Sequence, residues 1–207
     1  MSDRKFVFDF GRVVFAWQPE VILRAALPAL AHDGPSTAHW VAQFFQSYDG
    51  DWCQYDRGAV DEAELVRRIA TRTGLTRQEV QRVVDAVPQT LRPLPDTVAL
   101  LRRLHEAGRT LYYLSNMPAP MASYLQATHA FLGWFRDGVF SSHVGHNKPE
   151  PEIFAIAAAR FGHDAGDLVF LDDHLPNVEA ARRQGWNALP FSTAAQAEAD
   201  LAAAGWL

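Results

Sequence analysis

Short apolar runs alternate with helical patterns along most of the chain. Four runs followed by turn residues, and a shorter fifth run, predict buried strands. They span Lys5 to Phe8, Thr110 to Leu114, Leu168 to Leu171, Ala188 to Phe191 and, for the fifth, Gly138 to Phe140. Between them, helical patterns cover Asp96 to Ala107, Pro118 to Thr128, Glu150 to Phe161 and Pro176 to Gln184. This alternation predicts an α/β fold, with a parallel sheet covered by helices on both faces.

Residues 16–92 interrupt the alternation. This stretch has no convincing strand pattern, and we predict helices near Pro19–Leu30, Thr37–Ser47, Asp61–Thr73 and Thr76–Val87. The proline-containing run from Leu91 to Pro95 indicates a return hinge. We therefore predict a core made of residues 1–15 and 93–207, with residues 16–92 inserted as a helical domain.

Composition excludes some classes of partner. The 207 residues are 48% hydrophobic and 21% charged, as is typical of a globular protein, and the net charge is -5 without a Lys/Arg cluster. This charge argues against nucleic acid and anionic membranes as partners. No run of 18 apolar residues exists, so no membrane span is expected. Cys53 is the only cysteine, which fits a reducing cytoplasm, and the oligomeric state stays open.

Polar residues stand where the predicted core strands end or the next helix begins. In chain order they are Asp9, then Ser115 and Asn116, then Lys148, then the pair Asp172 and Asp173. A carboxylate at the carboxyl end of a parallel strand can act as nucleophile or metal ligand. A hydroxyl followed by free backbone N–H groups can hold an anion, and an aspartate pair suits a hard divalent cation. Taken alone, the aspartates and Ser115 also suit ordinary caps or turns, and Lys148 suits a solvated surface lysine.

Taken together, these segments resemble the haloacid dehalogenase-like hydrolase superfamily over essentially the whole chain. Its four motifs are similar, in order, to Phe8-Asp9-Phe10-Gly11-Arg12-Val13-Val14, Leu114-Ser115-Asn116, Asn147-Lys148-Pro149-Glu150-Pro151-Glu152-Ile153-Phe154 and Phe170-Leu171-Asp172-Asp173-His174. The resemblance implies a Rossmann-like core, and the helical insert resembles the family's small cap.

The resemblance also implies a reaction and its residues. Asp9 would be the nucleophile that takes up a phosphoryl group, while Lys148 would neutralise both nucleophile and phosphate. Ser115 and Asn116 would bind phosphate oxygens. Mg²⁺ would be held by the Asp9 carboxylate, the backbone carbonyl of Gly11, and Asp172 with Asp173. The implied activity is a Mg²⁺-dependent phosphatase that acts on a small phosphorylated metabolite through an aspartyl phosphate.

Gly11 is the main departure from the family pattern. Most phosphatases of the family carry an aspartate two residues after the nucleophile, and it donates a proton to the leaving group. General acid–base help of this kind is worth about 10²–10⁴-fold. Without another donor, the rate should depend steeply on leaving-group acidity. His143 and His146 are possible acids.

A branch resembling bacterial α-D-glucose-1-phosphate phosphatases also has glycine at this position, and the segment Tyr55-Asp56-Arg57-Gly58 is similar to that branch. The branch suggests a sugar 1-phosphate as substrate. An aromatic set in the insert could line a substrate pocket or pack the insert's core; it comprises Phe44, Phe45, Tyr48, Trp52 and Tyr55.

Two other functions stay open. A hydrolytic 2-haloacid dehalogenase of the same fold needs neither the missing acid nor a metal, and Asp172 is then hard to explain. A phosphometabolite-binding or regulatory protein could have lost its activity together with the acid. Such a binder has little need of Asp9.

Overall fold

The computed structural model describes residues 4–207, apart from the side chain of Tyr48. The described chain contains five strands: β1 (Lys5–Phe8), β2 (Leu111–Ser115), β3 (Phe135–Phe140), β4 (Leu168–Asp172) and β5 (Asn187–Pro190). All neighbouring strands run parallel, in the order β3-β2-β1-β4-β5. The predicted α/β fold with a parallel sheet is therefore confirmed.

Helices join the strands and cover the sheet. In the core these are α6 (Pro95–Glu106), α7 (Ala119–Thr128), α8 (Ser141–Val144), α9 (Pro151–Phe161), α10 (Leu175–Arg183) and α11 (Ala194–Ala203). Alternate residues of β1 enter two different apolar clusters: Phe6 and Phe8 pack into one, and Val7 packs into the other. Both faces of the central strand are thus buried, which explains its unbroken apolar sequence.

The insert consists of α1 (Pro19–Ala26), α2 (Gly34–Phe45), α3 (Asp51–Asp56), α4 (Glu62–Thr73) and α5 (Arg77–Thr90). The chain enters and leaves it at adjacent points, because the Ala16 N–H donates to the Arg92 carbonyl and the Leu94 N–H donates to the Val14 carbonyl. These contacts lie at the ends of the predicted insert. The division into two domains stays a proposal.

Local chemistry explains where the element bounds differ from the prediction. Helix α2 begins three residues early, at Gly34, because Asp33 and Ser36 form a capping box. Strand β3 begins at Phe135 and is longer than predicted, because its outer residues Arg136 and Asp137 are polar and mask the apolar pattern. The sequence prediction omitted α3. That helix has only six residues, fewer than two full turns, so its apolar spacing gives little signal.

Across the described residues, no helix combines the length and the apolar character needed to cross a membrane.

Candidate active site

The sheet order brings the predicted site residues to one edge. Strand β1 lies between β2 and β4, so their carboxyl ends are adjacent. Asp9 follows β1, Ser115 ends β2 and Asp172 ends β4, and all three are buried. Lys148 reaches the same edge from the loop before α9. The sequence placed each of these residues at the end of a strand or the start of a helix, and the parallel sheet makes them neighbours.

Lys148 occupies the centre of this group. Its Nζ lies 2.8 Å from Asp9 Oδ1 and 2.7 Å from Asp172 Oδ2, and it donates to the Leu114 carbonyl at 2.9 Å. The side chain is 1% exposed. Burial opposes the charge on Lys148, but the carboxylates of Asp172 and Asp9 outweigh it and raise its pKa. Lys148 is therefore a fixed cation between two carboxylates.

Asp172 is held from several sides. The His174 backbone N–H donates to its Oδ1 at 2.8 Å, and the Asn177 amide lies 3.1 Å and 3.0 Å from its two oxygens. The Asp172 side chain is fully buried. These donors hold the carboxylate in one orientation and compensate for the loss of water around it.

Asn116 positions Lys148 through its side chain. Its Nδ2 donates to the Lys148 carbonyl at 2.9 Å, and its Oδ1 accepts from the Lys148 N–H at 2.8 Å. The Asn116 amide group thus forms hydrogen bonds with both polar groups of the lysine backbone. Because the side chain is bonded to Lys148, the backbone N–H of Asn116, directly after β2, is the group of this residue that suits a phosphate oxygen.

The loop after Asp9 turns sharply. The N–H groups of Val13, Val14 and Phe15 all approach the Phe10 carbonyl, and Arg12 takes a left-handed conformation with φ of 58°. Gly11 itself does not have a positive φ, and a Cβ built there would meet only the Trp17 Cβ, at an ordinary 3.8 Å. Neither the space for a Cβ nor the backbone conformation therefore demands glycine at this position.

Three carboxylates form a candidate metal site. One oxygen from each of Asp9, Asp172 and Asp173 lies within 4.8 Å of the others. Burial raises the pKa of Asp9, an effect that Lys148 opposes and that Asp172 and Asp173 reinforce. Burial, followed by repulsion from Asp172, likewise raises the pKa of Asp173. A cluster of hard oxygen donors that repel one another fits Mg²⁺, since a divalent cation would relieve the repulsion.

The insert is fastened to the core beside this site. The guanidinium of Arg57, directly after α3, donates to the Glu150 carboxylate, with Nη1 3.0 Å from Oε2. Asn147, next to Lys148, donates to the Cys53 carbonyl at 2.9 Å, and the Ser141 hydroxyl donates to the Asp56 carbonyl. All three contacts involve α3 or the residue after it, so this short helix has a fixed position over the site.

Asp56 is the last residue of α3, and its carboxyl group is buried next to the site. The residue is 7% exposed. Burial raises the pKa of Asp56 to about 8; a hydrogen bond from the Trp52 side chain opposes the rise, and the charge of Asp9 adds to it. The structure therefore places a carboxyl group that holds its proton at neutral pH within electrostatic range of the predicted nucleophile.

No role for Asp56, Asn177 or Ser141 was predicted from the sequence. Asp56 stands in a segment quoted for the family resemblance, but only the fold shows what these three residues contact. Of the histidines suggested as acids, His143 is exposed and His146 pairs with Glu150 at 3.1 Å.

The raised pKa of Asp56 predicts a pH-dependent cost to stability. Between about pH 4 and 8 the unfolded chain loses this proton while the folded protein keeps it, so the free energy of unfolding falls as pH rises. Asp56→Asn should remove this loss and stabilise the metal-free protein at pH 7.5 by on the order of 1 kcal/mol or more. Urea unfolding in chelator from pH 4 to 8 measures it. Parallel curves for both proteins would contradict the raised pKa.

Known proteins match this chain over most of its length. The family described as haloacid dehalogenase-like hydrolase matches residues 18–185. The sesquiterpene phosphatase astK of Aspergillus oryzae is 29% identical over 180 residues, which cover 86% of this chain and 85% of that protein. The drimenol cyclase drtB of Aspergillus calidoustus is 27% identical over 91% of this chain, but over only 34% of its own length.

Solved structures share the fold. A HAD family enzyme from Bacteroides thetaiotaomicron, in complex with magnesium and inorganic phosphate, superposes with a TM-score of 0.73 at 21% identity, covering 92% of this chain and 94% of the other. The family match extends from the insert through the lysine and the Asp172–Asp173 pair, and this chain therefore belongs to the haloacid dehalogenase-like hydrolases.

Proposed function

We propose that this hydrolase is a Mg²⁺-dependent phosphatase that acts on a small phosphorylated metabolite through an aspartyl phosphate on Asp9. The observation that carries the proposal is the buried Lys148 between Asp9 and Asp172, with Asp173 completing a carboxylate cluster. Phosphoryl transfer depends mainly on positioning and on cations that neutralise the phosphate oxygens. The buried lysine and the carboxylate cluster at this edge of the sheet support both requirements.

Each residue has a distinct task in this proposal. The Asp9 carboxylate attacks phosphorus, and Lys148 opposes the burial-driven rise in the pKa of Asp9 and offsets the charge of the arriving phosphate. The hydroxyl of Ser115 and the backbone N–H of Asn116 bind phosphate oxygens. Asp9, Asp172, Asp173 and the Gly11 carbonyl would hold Mg²⁺, which when bound neutralises phosphate oxygens.

The relatives and the carboxylates favour a phosphatase over the alternatives. A 2-haloacid dehalogenase has no use for three clustered carboxylates, while astK and several shorter matches are named phosphatases. A protein that only binds phosphate has no need of a carboxylate paired with a buried lysine. The cytoplasmic location expected from the sequence stays a prediction.

The aromatic residues favour a phosphate ester with an apolar leaving group over the sugar 1-phosphate suggested by the sequence. Trp17 lies next to Gly11 and is half-buried, with its ring 5.2 Å from Phe45 and 6.4 Å from Trp52. Phe45 and Trp52 are themselves buried, so Trp17 is the member of this group that can contact a substrate. Together with the similarity to a sesquiterpene phosphatase, this supports an isoprenoid monophosphate as substrate.

The nucleophile is tested by Asp9→Asn. The amide cannot form the acyl phosphate, so steady-state phosphate release from an aryl phosphate should fall by at least about 10³-fold. Asp49→Asn, which changes an exposed aspartate of the insert, serves as the matched control and should keep full activity. Substantial turnover by freshly prepared Asp9→Asn would show that another group carries the phosphoryl group.

Metal dependence is tested by removal and return of Mg²⁺. Activity should vanish in excess chelator and return on addition of Mg²⁺. Asp172→Asn should need at least about tenfold more Mg²⁺ for half-maximal rate, since it loses a ligand charge. Release of phosphate is measured beside release of chloride from a 2-chloro acid. Full activity in chelator, or chloride release without metal, would favour the dehalogenase.

Substrate class is tested with farnesyl phosphate, α-glucose 1-phosphate and glucose 6-phosphate. We expect the highest kcat/KM for farnesyl phosphate, because Trp17 offers apolar contact to its chain. Trp17→Ala should lower that value by about tenfold, the effect of roughly 1.4 kcal/mol of lost apolar burial, and leave glucose 1-phosphate unchanged. A higher kcat/KM for glucose 1-phosphate would instead support the sugar 1-phosphate.

A further inference from the structure

We propose that Asp56 of the helical insert is the general acid, and then the general base, that the core lacks because position 11 is glycine. The inference rests on the proposed phosphatase function and deepens it by naming a further catalytic residue. It stands on the hydrogen bonds that join α3 to the core segments next to the site, and on the burial of Asp56 at that junction.

The first support is the fixed position of Asp56. Its own carbonyl accepts a hydrogen bond from Ser141, whose hydroxyl in turn accepts from the Met117 N–H at 2.9 Å. Ser141 directly follows β3 and Met117 follows the Ser115–Asn116 pair, so Asp56 is tied to the phosphate side of the site. Gly58 packs so closely on Ser142 that a Cβ there would lie 2.7 Å from the Ser142 carbonyl oxygen. This close approach keeps α3 against the core.

The second support is the surroundings of the carboxyl group. The Trp52 side chain, one turn earlier on α3, donates a hydrogen bond to it, and the charged group that acts on it from the core is Asp9. Both effects of the site, burial and the nearby anion, favour the protonated carboxylic acid. A buried carboxyl group that keeps its proton can donate it to a leaving oxygen, which is the task of a general acid.

Other candidate donors have other contacts. The His146 ring pairs with Glu150, which also binds Arg57, and His143 is exposed with its ring against Phe140. The Tyr55 hydroxyl contacts Glu62 at 3.2 Å. Asp56 is the candidate acid whose carboxyl group interacts electrostatically with Asp9.

The proposed step balances protons and bonds. An Asp9 oxygen attacks phosphorus while the bond from phosphorus to the leaving oxygen breaks, and the Asp56 proton passes to that oxygen. The Asp56 carboxylate then takes a proton from water as the water attacks the phosphorus of the aspartyl phosphate. The bond from phosphorus to Asp9 breaks, which releases inorganic phosphate and leaves Asp56 protonated for the next cycle.

The test is the dependence of single-turnover rate on leaving-group acidity. Phenyl, 4-nitrophenyl and 2,4-dinitrophenyl phosphates are compared at saturating Mg²⁺. With Asp56 as donor, the wild-type rate should depend only weakly on leaving-group acidity. The rate of Asp56→Asn should depend on it steeply, as expected for a site without an acid. That variant should slow phenyl phosphate by about 10²-fold or more and dinitrophenyl phosphate by less than about tenfold. It should also accumulate phosphoenzyme from dinitrophenyl phosphate, because the base for hydrolysis is missing.

Several results would overturn the proposal. Equal slowing of all three esters would show a structural role, and unchanged rates would show no role. Asp49→Asn controls for loss of an aspartate from the same segment and should match wild type. If Asp56→Asn does not fold, a steep dependence in the wild type overturns the proposal and a shallow one supports it. Failure of the proposed function looks different: the wild type would turn over none of the esters, or Asp9→Asn would remain active.

Discussion

The buried ammonium of Lys148 is the interaction on which the rest of the site depends. Two carboxylates approach it within 3 Å, and none of the three groups has free access to water. Such a cluster costs desolvation energy that a plain apolar core would not, and removal of one partner leaves an uncompensated buried charge. The surrounding donors, Asn116 on the lysine backbone and Asn177 on Asp172, keep this arrangement in one geometry. The cluster at this sheet edge therefore costs stability while it holds the predicted nucleophile in one place.

The repetitive part of this fold could be predicted from sequence, and so could the site residues that end its strands. Strand β1 was predicted with its observed bounds. Asp9 comes directly after β1 and Asp172 ends β4, and both strands have an apolar pattern that is easily recognised in the sequence. Their closeness in space could be deduced only once the order of the strands was known. The alternation of elements predicts a parallel sheet but not that order. The family resemblance added the roles.

The parts that could not be predicted lie between elements distant in sequence. Asp56 is 47 positions from Asp9, and its helix is too short to give a pattern. Its burial and neighbours arise only when α3 packs on α8, which directly follows β3. Asn116 shows a similar limit: the family resemblance implies that it binds phosphate, whereas its side chain bonds to the backbone of Lys148, 32 positions away. Long-range contacts of this kind leave no local periodicity to read.

The conformation at Gly11 bears on how such proteins diverge. Its backbone has a φ that any residue can adopt, and the space beside it would accept a Cβ. The backbone thus leaves room for a Cβ at the position where related phosphatases usually carry aspartate. Aspartate and glycine codons differ by a single base, so a lineage could exchange these two residues in one step. With Asp56 as the proton donor, as proposed above, later changes in the insert would alter proton delivery without any change in the core.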